Sequence, residues 1–257
     1  MSAGKSQKTA GFVLKSLAYG ESDLIITFYS RDFGKISGIA KGAKRSRKRF
    51  ANVFEPFSQI ALIFSRKSRD TLALIESCEI IDHYAAIRAD LEKTLTASYF
   101  IELADAFSPE GKANDRLFVL LADFLDWLAR ENASDAAIRF FEMRLLQISG
   151  FEPALGACVR CRKPVANGEV YYFYPQEGGI TCAACARPER YDQSVSAGAV
   201  RTLLLGKDMD MEKMKRICMT DSLAAESRSI LCGFIAYVLG KEVKSLKVLE
   251  QVRRYCP

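Results

Sequence analysis

Cys158 and Cys161, then Cys182 and Cys185, form two C-x-x-C pairs separated by twenty residues. A C-x-x-C turn places two sulfurs on one side of an ion, so two such turns can close a tetrahedral site of four thiolates around one structural zinc. The intervening chain suits that task. Glu169 to Tyr174 is rich in β-forming residues, and Pro175-Gln176-Glu177-Gly178-Gly179 is turn material before Ile180 and Thr181. Residues 157–186 therefore read as a zinc ribbon. Two other chemistries compete for these cysteines. A redox C-x-x-C is normally single and opens a helix after a strand, whereas here the motif is doubled. Two disulfides would require an oxidising compartment. Residues 1–10 hold no apolar run of signal-peptide length, and no apolar stretch approaches eighteen residues, which favours a reducing cytoplasm and no membrane association. Cys78, Cys218, Cys232 and Cys256 lack ligand spacing and read as small buried or idle thiols.

The second chemistry-bearing stretch is cationic. Lys41, Lys44, Arg45, Arg47, Lys48 and Arg49 fall within nine residues with no acid among them, and this run alone equals the net charge of +6. A solvated loop is the bland reading. The density of cations, with Gly42, Ala43 and Ser46 lending flexibility, favours a phosphate-binding finger that buries little. Arg66, Lys67 and Arg69 in a following hairpin could extend the same surface.

The elements around this run are short strands. Thr9 to Tyr19, Asp23 to Ser30, Lys35 to Ala40, Phe57 to Phe64 and Thr71 to Ile80 alternate with turn chemistry at residues 19–22, 31–34 and 66–70. Five strands in so short a span fit a Greek-key barrel of the OB type, a common single-strand binder, over residues 1–80. Phe12, Tyr19, Phe28, Tyr29, Phe33, Phe50 and Phe54 could stack bases, although a small barrel needs most of them as core. From residue 82 the period becomes helical. Ile87, Leu91 and Leu95 mark one face of a long helix running to Phe107, Leu117 to Leu128 a second, and Ile138 to Ile148 a third between Ser134 and Gly150. Ala199 to Leu205, Asp210 to Cys218 and Leu223 to Leu239 follow the ribbon as further helices. With 49% hydrophobic residues in 257, the expected fold is α+β and multidomain: an OB-fold β-barrel, an all-α helical domain over 81–156 and 187–257, and a four-cysteine zinc-ribbon insertion between its two parts.

Gly20-Glu21-Ser22-Asp23, Phe33-Gly34-Lys35-Ile36 and Ala40-Lys41-Gly42-Ala43-Lys44-Arg45 resemble the N-terminal domain of the RecO family of bacterial recombination mediator proteins. The resemblance continues through Gly150-Phe151-Glu152-Pro153, the cysteine pairs with Gly178 to Cys182, and the stretch from Tyr237 to Leu249. It implies an OB domain, a helical domain and the zinc-bearing form of the family. It further implies binding of single- and double-stranded DNA, annealing of complementary strands, and action with RecR to load RecA onto strands coated by single-stranded DNA-binding protein, in a bacterial, nucleoid-associated setting. The acidic tail of that coating protein, with its apolar end, would suit a groove lined by cations, for which Arg139 and Arg144 are candidates. No catalytic residue transfers.

The residues agree with a non-enzymatic role. His83 is the only histidine, so no Ser-His-Asp or Cys-His pairing is available. Gly4-Lys5-Ser6 lacks the upstream glycine of a phosphate loop and Gly34-Lys35 is followed by Ile36, so no nucleotide site is expected. Asp32-Phe33-Gly34 is a hairpin turn without the other kinase motifs. An OB and zinc-ribbon protein acting on RNA is the first alternative. A zinc-dependent nuclease is the second, against which four closed thiolates argue.

Overall fold

The computed structural model describes residues 5–46, 48–68, 71–187 and 194–255. The chain divides into two compact units, residues 1–130 with 245–257, and residues 131–244.

The first unit is built on a closed five-stranded barrel. Its strands are β1 (Gln7–Tyr19), β2 (Asp23–Ser30), β3 (Gly34–Ala40), β4 (Gln59–Ser65) and β5 (Ala73–Asp82), in spatial order β1-β2-β3-β5-β4 with β4 returning to β1. This is the OB architecture. Closure depends on β1, which pairs antiparallel with β2 on one edge and β4 on the other. One long strand can serve both only if it curls, and a register shift between Val13 and Lys15 supplies the bend. The other closure is the short parallel pairing of Gly38 with Ala73 and Ile39 with Leu74. Inward residues alternate along each strand, and Val13, Ile26, Phe28, Ile36, Ile60, Leu62, Phe64 and Ile75 fill the interior. Each strand begins within two residues of the position expected from sequence, and β5 runs on past Ile80 to Asp82.

The helical region begins with α1 (Ala85–Arg88) and α2 (Leu91–Phe107), not one continuous helix. Asp90 is the reason: its side chain accepts the Lys93 amide and starts a new helix. Ser108 ends α2, and α3 (Asp115–Arg130) follows. These helices lie on the barrel. Phe12 meets Phe118 with ring centroids 5.0 Å apart, and the Tyr29 hydroxyl accepts the Asn114 amide at 3.0 Å. Gly34 makes the close approach possible: it has φ +68°, and a Cβ there would stand 2.1 Å from the Lys112 carbonyl oxygen. Asp105 of α2 receives Lys15 at 2.6 Å and Lys35 at 3.2 Å. A terminal helix, α8 (Lys244–Tyr255), joins this unit through Arg253, which reaches Glu92 at 2.6 Å, and through the Ser245 amide, which donates to Glu102. No helix was expected there from sequence.

The second unit contains α4 (Asp135–Ile148), β6 (Val170–Tyr174), β7 (Gly179–Cys182), β8 (Ser194–Ser196), α5 (Ala197–Asp208), α6 (Met211–Met214) and α7 (Asp221–Leu239). α4 is buried on nearly every side, and Gly206 of α5 lets it pack close: a Cβ at Gly206 would stand 1.9 Å from the Phe140 ring. Ser134, Ser196 and Thr220 cap α4, α5 and α7 with their hydroxyls, and Gly240 ends α7 in the left-handed conformation. Contrary to the expectation that no apolar stretch approaches eighteen residues, α7 is, among the described residues, the one helix long and apolar enough to cross a membrane by length and composition. Its Ile230, Leu231, Phe234 and Ile235 are buried inside the protein.

Candidate nucleic-acid interface and metal centre

The cationic run leaves β3 at Ala40 and returns to β4 at Gln59, passing through a short 3-10 turn at Ala43–Arg45. Lys41, Lys44, Arg45, Lys48 and Arg49 are exposed. Arg47 lies outside the described residues. The expectation that this finger buries little needs correcting. Ala43, Phe50, Val53 and Phe54 of the same connection are buried in the barrel core, Phe50 and Phe54 with ring centroids 5.2 Å apart. Apolar anchors therefore hold the connection against the barrel while the cations point outward. Arg49 spans both roles, its guanidinium 4.4 Å from the Phe50 ring centroid and donating to the Lys41 carbonyl at 2.7 Å.

Asp23 and the turn before it were not singled out as site residues from sequence, yet they adjoin this surface. Asp23 Oδ1 accepts the Gly42 amide at 2.8 Å. That hydrogen bond, with the Ser22 hydroxyl and the charges of Lys41 and Lys44, holds the Asp23 carboxyl below its ordinary range. Glu21 reaches Arg45 at 3.9 Å with both ends exposed. No sequence signal marked this contact, because Asp23 and Gly42 lie 19 residues apart and meet only when β2 and β3 pair.

Arg66 lies over the Phe64 ring at 5.9 Å and Lys67 is exposed, while Arg69 lies outside the described residues. Of the aromatic candidates for stacking, Phe12, Phe28, Tyr29, Phe50 and Phe54 are buried and belong to the packing. Phe33 is half-buried against Phe64, and Tyr19 is 54% exposed at the end of β1.

Arg139 and Arg144 are engaged inside the second unit. Arg139 is 2% exposed, with its guanidinium 3.0 Å from Glu142 Oε2 and 3.0 Å from Cys232 Sγ. Arg144 donates to the carbonyls of Gly206 and Met209 at the end of α5. Arg139 is thus enclosed and Arg144 is half-buried.

In the metal centre, the two cysteine turns are brought together by a small sheet in which β6 pairs with β7 and β8. The Val159 amide donates to Ile180, the Cys158 amide to Lys163 and the Cys185 amide to Cys182. Arg162 takes φ +61° to close the first turn. Gly179 is needed because any Cβ would meet Val159 and Ala154 within 3 Å. The sulfurs of Cys158, Cys161, Cys182 and Cys185 all lie within 4.8 Å of one another, and those of Cys161 and Cys182 are 3.7 Å apart. Tetrahedral thiolate bonds of about 2.3 Å require sulfur–sulfur edges of about 3.8 Å. A disulfide needs about 2.05 Å. The donor set and spacing thus fit a metal ion. Burial alone would raise the Cys158 thiol, but the amides of Cys161, Cys182 and Arg160 outweigh it and bring its pKa down to about 6. Cys185, donating to Cys161 and Cys182, is pushed up to about 12.

With these geometries in place, the comparison with known proteins decides the family. A family model described as Recombination protein O N terminal matches residues 1–84, and one described as Recombination protein O C terminal matches residues 88–247. The chain belongs to the RecO family. DNA repair protein RecO of Syntrophus aciditrophicus is 48% identical over 99% of both chains. The RecO proteins of Pelobacter propionicus and Anaeromyxobacter sp. (strain K) are 34% and 33% identical over at least 95% of this chain. The family matches therefore span both the barrel carrying the cationic loop and the unit carrying the cysteine cluster.

Proposed function

We propose that this protein is a non-enzymatic DNA repair and recombination mediator that binds single- and double-stranded DNA and anneals complementary strands. With RecR, it would help load RecA onto strands coated by single-stranded DNA-binding protein. The observation that carries the DNA reading is the loop on the OB barrel, where Lys41, Lys44, Arg45, Lys48 and Arg49 are exposed above buried apolar anchors. Membership of a family whose curated relatives are named DNA repair proteins supplies its context.

The physics of the loop suits phosphate. Exposed ammonium and guanidinium groups displace condensed counterions from a polyanion, giving affinity without sequence preference. Two strands of like charge approach more readily over a cationic surface that screens both, so the same loop would promote annealing. Buried Phe50, Val53 and Phe54 keep the cations on the barrel, which reduces the ordering cost of binding. Arg66, Lys67 and Arg69 are proposed to extend the surface.

For the metal we propose one structural zinc per chain, held by Cys158, Cys161, Cys182 and Cys185. When bound, zinc ties the two cysteine turns into one folded ribbon. The chain's own part is to hold the thiols at ligand distance: Gly179 permits the close crossing, and the amides around Cys158 favour its thiolate.

Annealing tests the function. Purified protein should accelerate pairing of complementary oligonucleotides without nucleotide, with DNA preferred to RNA of the same sequence. Failure to accelerate DNA annealing at low salt would contradict the proposal, and a stronger effect on RNA would move it to the RNA-binding alternative.

A further inference from the structure

The start of the cationic loop is held from outside, by the turn between β1 and β2. Asp23 Oδ1 accepts the Gly42 amide at 2.8 Å and the Ser22 hydroxyl at 3.0 Å. The Ser22 carbonyl accepts the Lys44 amide at 2.9 Å, and the Gly20 carbonyl accepts the Lys44 ammonium at 2.7 Å. Gly42 sits at φ 68° and ψ 15°, a left-handed conformation that sets the direction in which the chain leaves β3. At the far side, Ser46 Oγ accepts the amides of Arg49 and Phe50, each at 3.1 Å. Hydrogen bonds therefore hold the chain on both sides of the 3-10 turn at Ala43–Arg45.

An acid beside a phosphate-binding surface should weaken it. Glu21 and Asp23 both bring negative charge to Lys41, Lys44 and Arg45, and a polyanion would be repelled by each. Their connections differ, however. Glu21 faces Arg45 at 3.9 Å with both side chains exposed, an arrangement worth little. Asp23 is bonded to the backbone at the one residue where the loop turns out of the strand.

We propose that Asp23 is the positioning residue of the phosphate site: by accepting the Gly42 amide it fixes the exit of the loop and pre-orients Lys41 and Lys44, so that its net effect on DNA affinity is favourable despite its charge. Ordering these cations before the encounter removes a cost that binding would otherwise bear. This inference rests on the reading that the loop binds DNA phosphate, and the test separates the two.

Affinity for an oligothymidylate is measured against salt for wild type, Asp23→Ala, Glu21→Ala and Asp23→Asn, with thermal midpoints as the check on folding. Both alanine variants remove one negative charge near the loop. Glu21→Ala should bind as tightly as wild type or up to about twofold tighter. Asp23→Ala should bind roughly fivefold to tenfold more weakly, the worth of one charge-assisted hydrogen bond. Its slope of log K against log salt should also fall by about 0.7 as a phosphate contact is lost, which general destabilisation would not produce. Asparagine keeps an acceptor for the Gly42 amide without the charge, so Asp23→Asn should restore at least wild-type affinity. If Asp23→Ala binds as tightly as Glu21→Ala, Asp23 is only a repelling charge and the proposal is overturned. Failure of Asp23→Asn to restore binding would also overturn it. Failure of the underlying reading appears elsewhere: replacing Lys44, Arg45, Arg47 and Lys48 by alanine would then leave affinity unchanged.

Discussion

Cys161 Sγ stands 3.7 Å from Cys182 Sγ, the separation of two ligands on one tetrahedral metal rather than of two bonded sulfurs. The expected metal content is one zinc per chain by elemental analysis. Because metal binding here would be folding energy, Cys161→Ser or a strong chelator should loosen residues 154–186 before it alters affinity for DNA. Hydrogen exchange reads this directly. A folded, zinc-free protein with two disulfides would refute the metal assignment.

Arg139 and Glu142 form a buried pair one helical turn apart, exposed by 2% and 0%. Removing one partner strands a charge in the core, so Arg139→Ala should cost about 3–5 kcal/mol in denaturant unfolding. The double change Arg139→Met with Glu142→Leu should recover most of that loss. An Arg139→Ala protein of unchanged stability would show that the guanidinium is not confined as the structure has it.

Asp105 joins α2 to the barrel through Lys15 and Lys35. Burial alone would raise its carboxyl pKa, but the two lysines outweigh burial and hold it below its ordinary range. A carboxyl whose folded pKa lies below its unfolded one contributes stability that is present above the unfolded pKa and lost as pH falls through the folded pKa. Asp105→Asn should therefore cost about 1–3 kcal/mol at neutral pH, and the difference from wild type should narrow below about pH 4. A difference that is constant between pH 7 and pH 3 would contradict this.

Gly34 is a packing requirement that sequence only hinted at. Its left-handed φ of +68° and the Lys112 carbonyl 2.1 Å from any Cβ make Gly34→Ala doubly unfavourable. Overpacking and backbone strain together should cost about 2–4 kcal/mol in thermal or denaturant unfolding. An alanine variant within 0.5 kcal/mol (about the scatter of neutral surface changes) would mean that the 112–113 segment can withdraw.

What sequence made legible was local chemistry. Turn residues at 20–22 and 31–34 placed the first three strands, and the cysteine spacing marked the cysteine cluster, because each signal lies within a few residues of the structure it dictates. Pairing between distant segments was not legible. Nothing local tells that Gly38 lies beside Ala73, that Asp23 holds Gly42, or that β8 completes the ribbon sheet with β6. Burial of charge was missed for a related reason. Arg139 and Glu142 have the spacing of a surface pair, and only the packing of α4 between its neighbours puts both inside. α8 was not expected as a helix since its cations outweigh its narrow apolar stripe, of which Leu249 is buried. The cationic loop was legible as charge, but its anchors Phe50, Val53 and Phe54 were not recognised as what fixes it to the barrel.

The loop between β3 and β4 is expected to supply a major part of DNA affinity through phosphates. Its most direct test is the salt dependence of binding by a variant with Lys44, Arg45, Arg47 and Lys48 replaced by alanine, on two unrelated single strands and one duplex. Each lost contact should reduce the slope of log K against log salt by about 0.7 on single strands and 0.9 on duplex, so the slope should flatten by about two to four units, equally on unrelated sequences. The thermal midpoint should stay near wild type, since Ala43, Phe50, Val53 and Phe54, which anchor the loop, are untouched. Unchanged affinity and slope would overturn this expectation and move the DNA site to Arg66, Lys67 and Arg69 or to the C-terminal basic residues between 241 and 254.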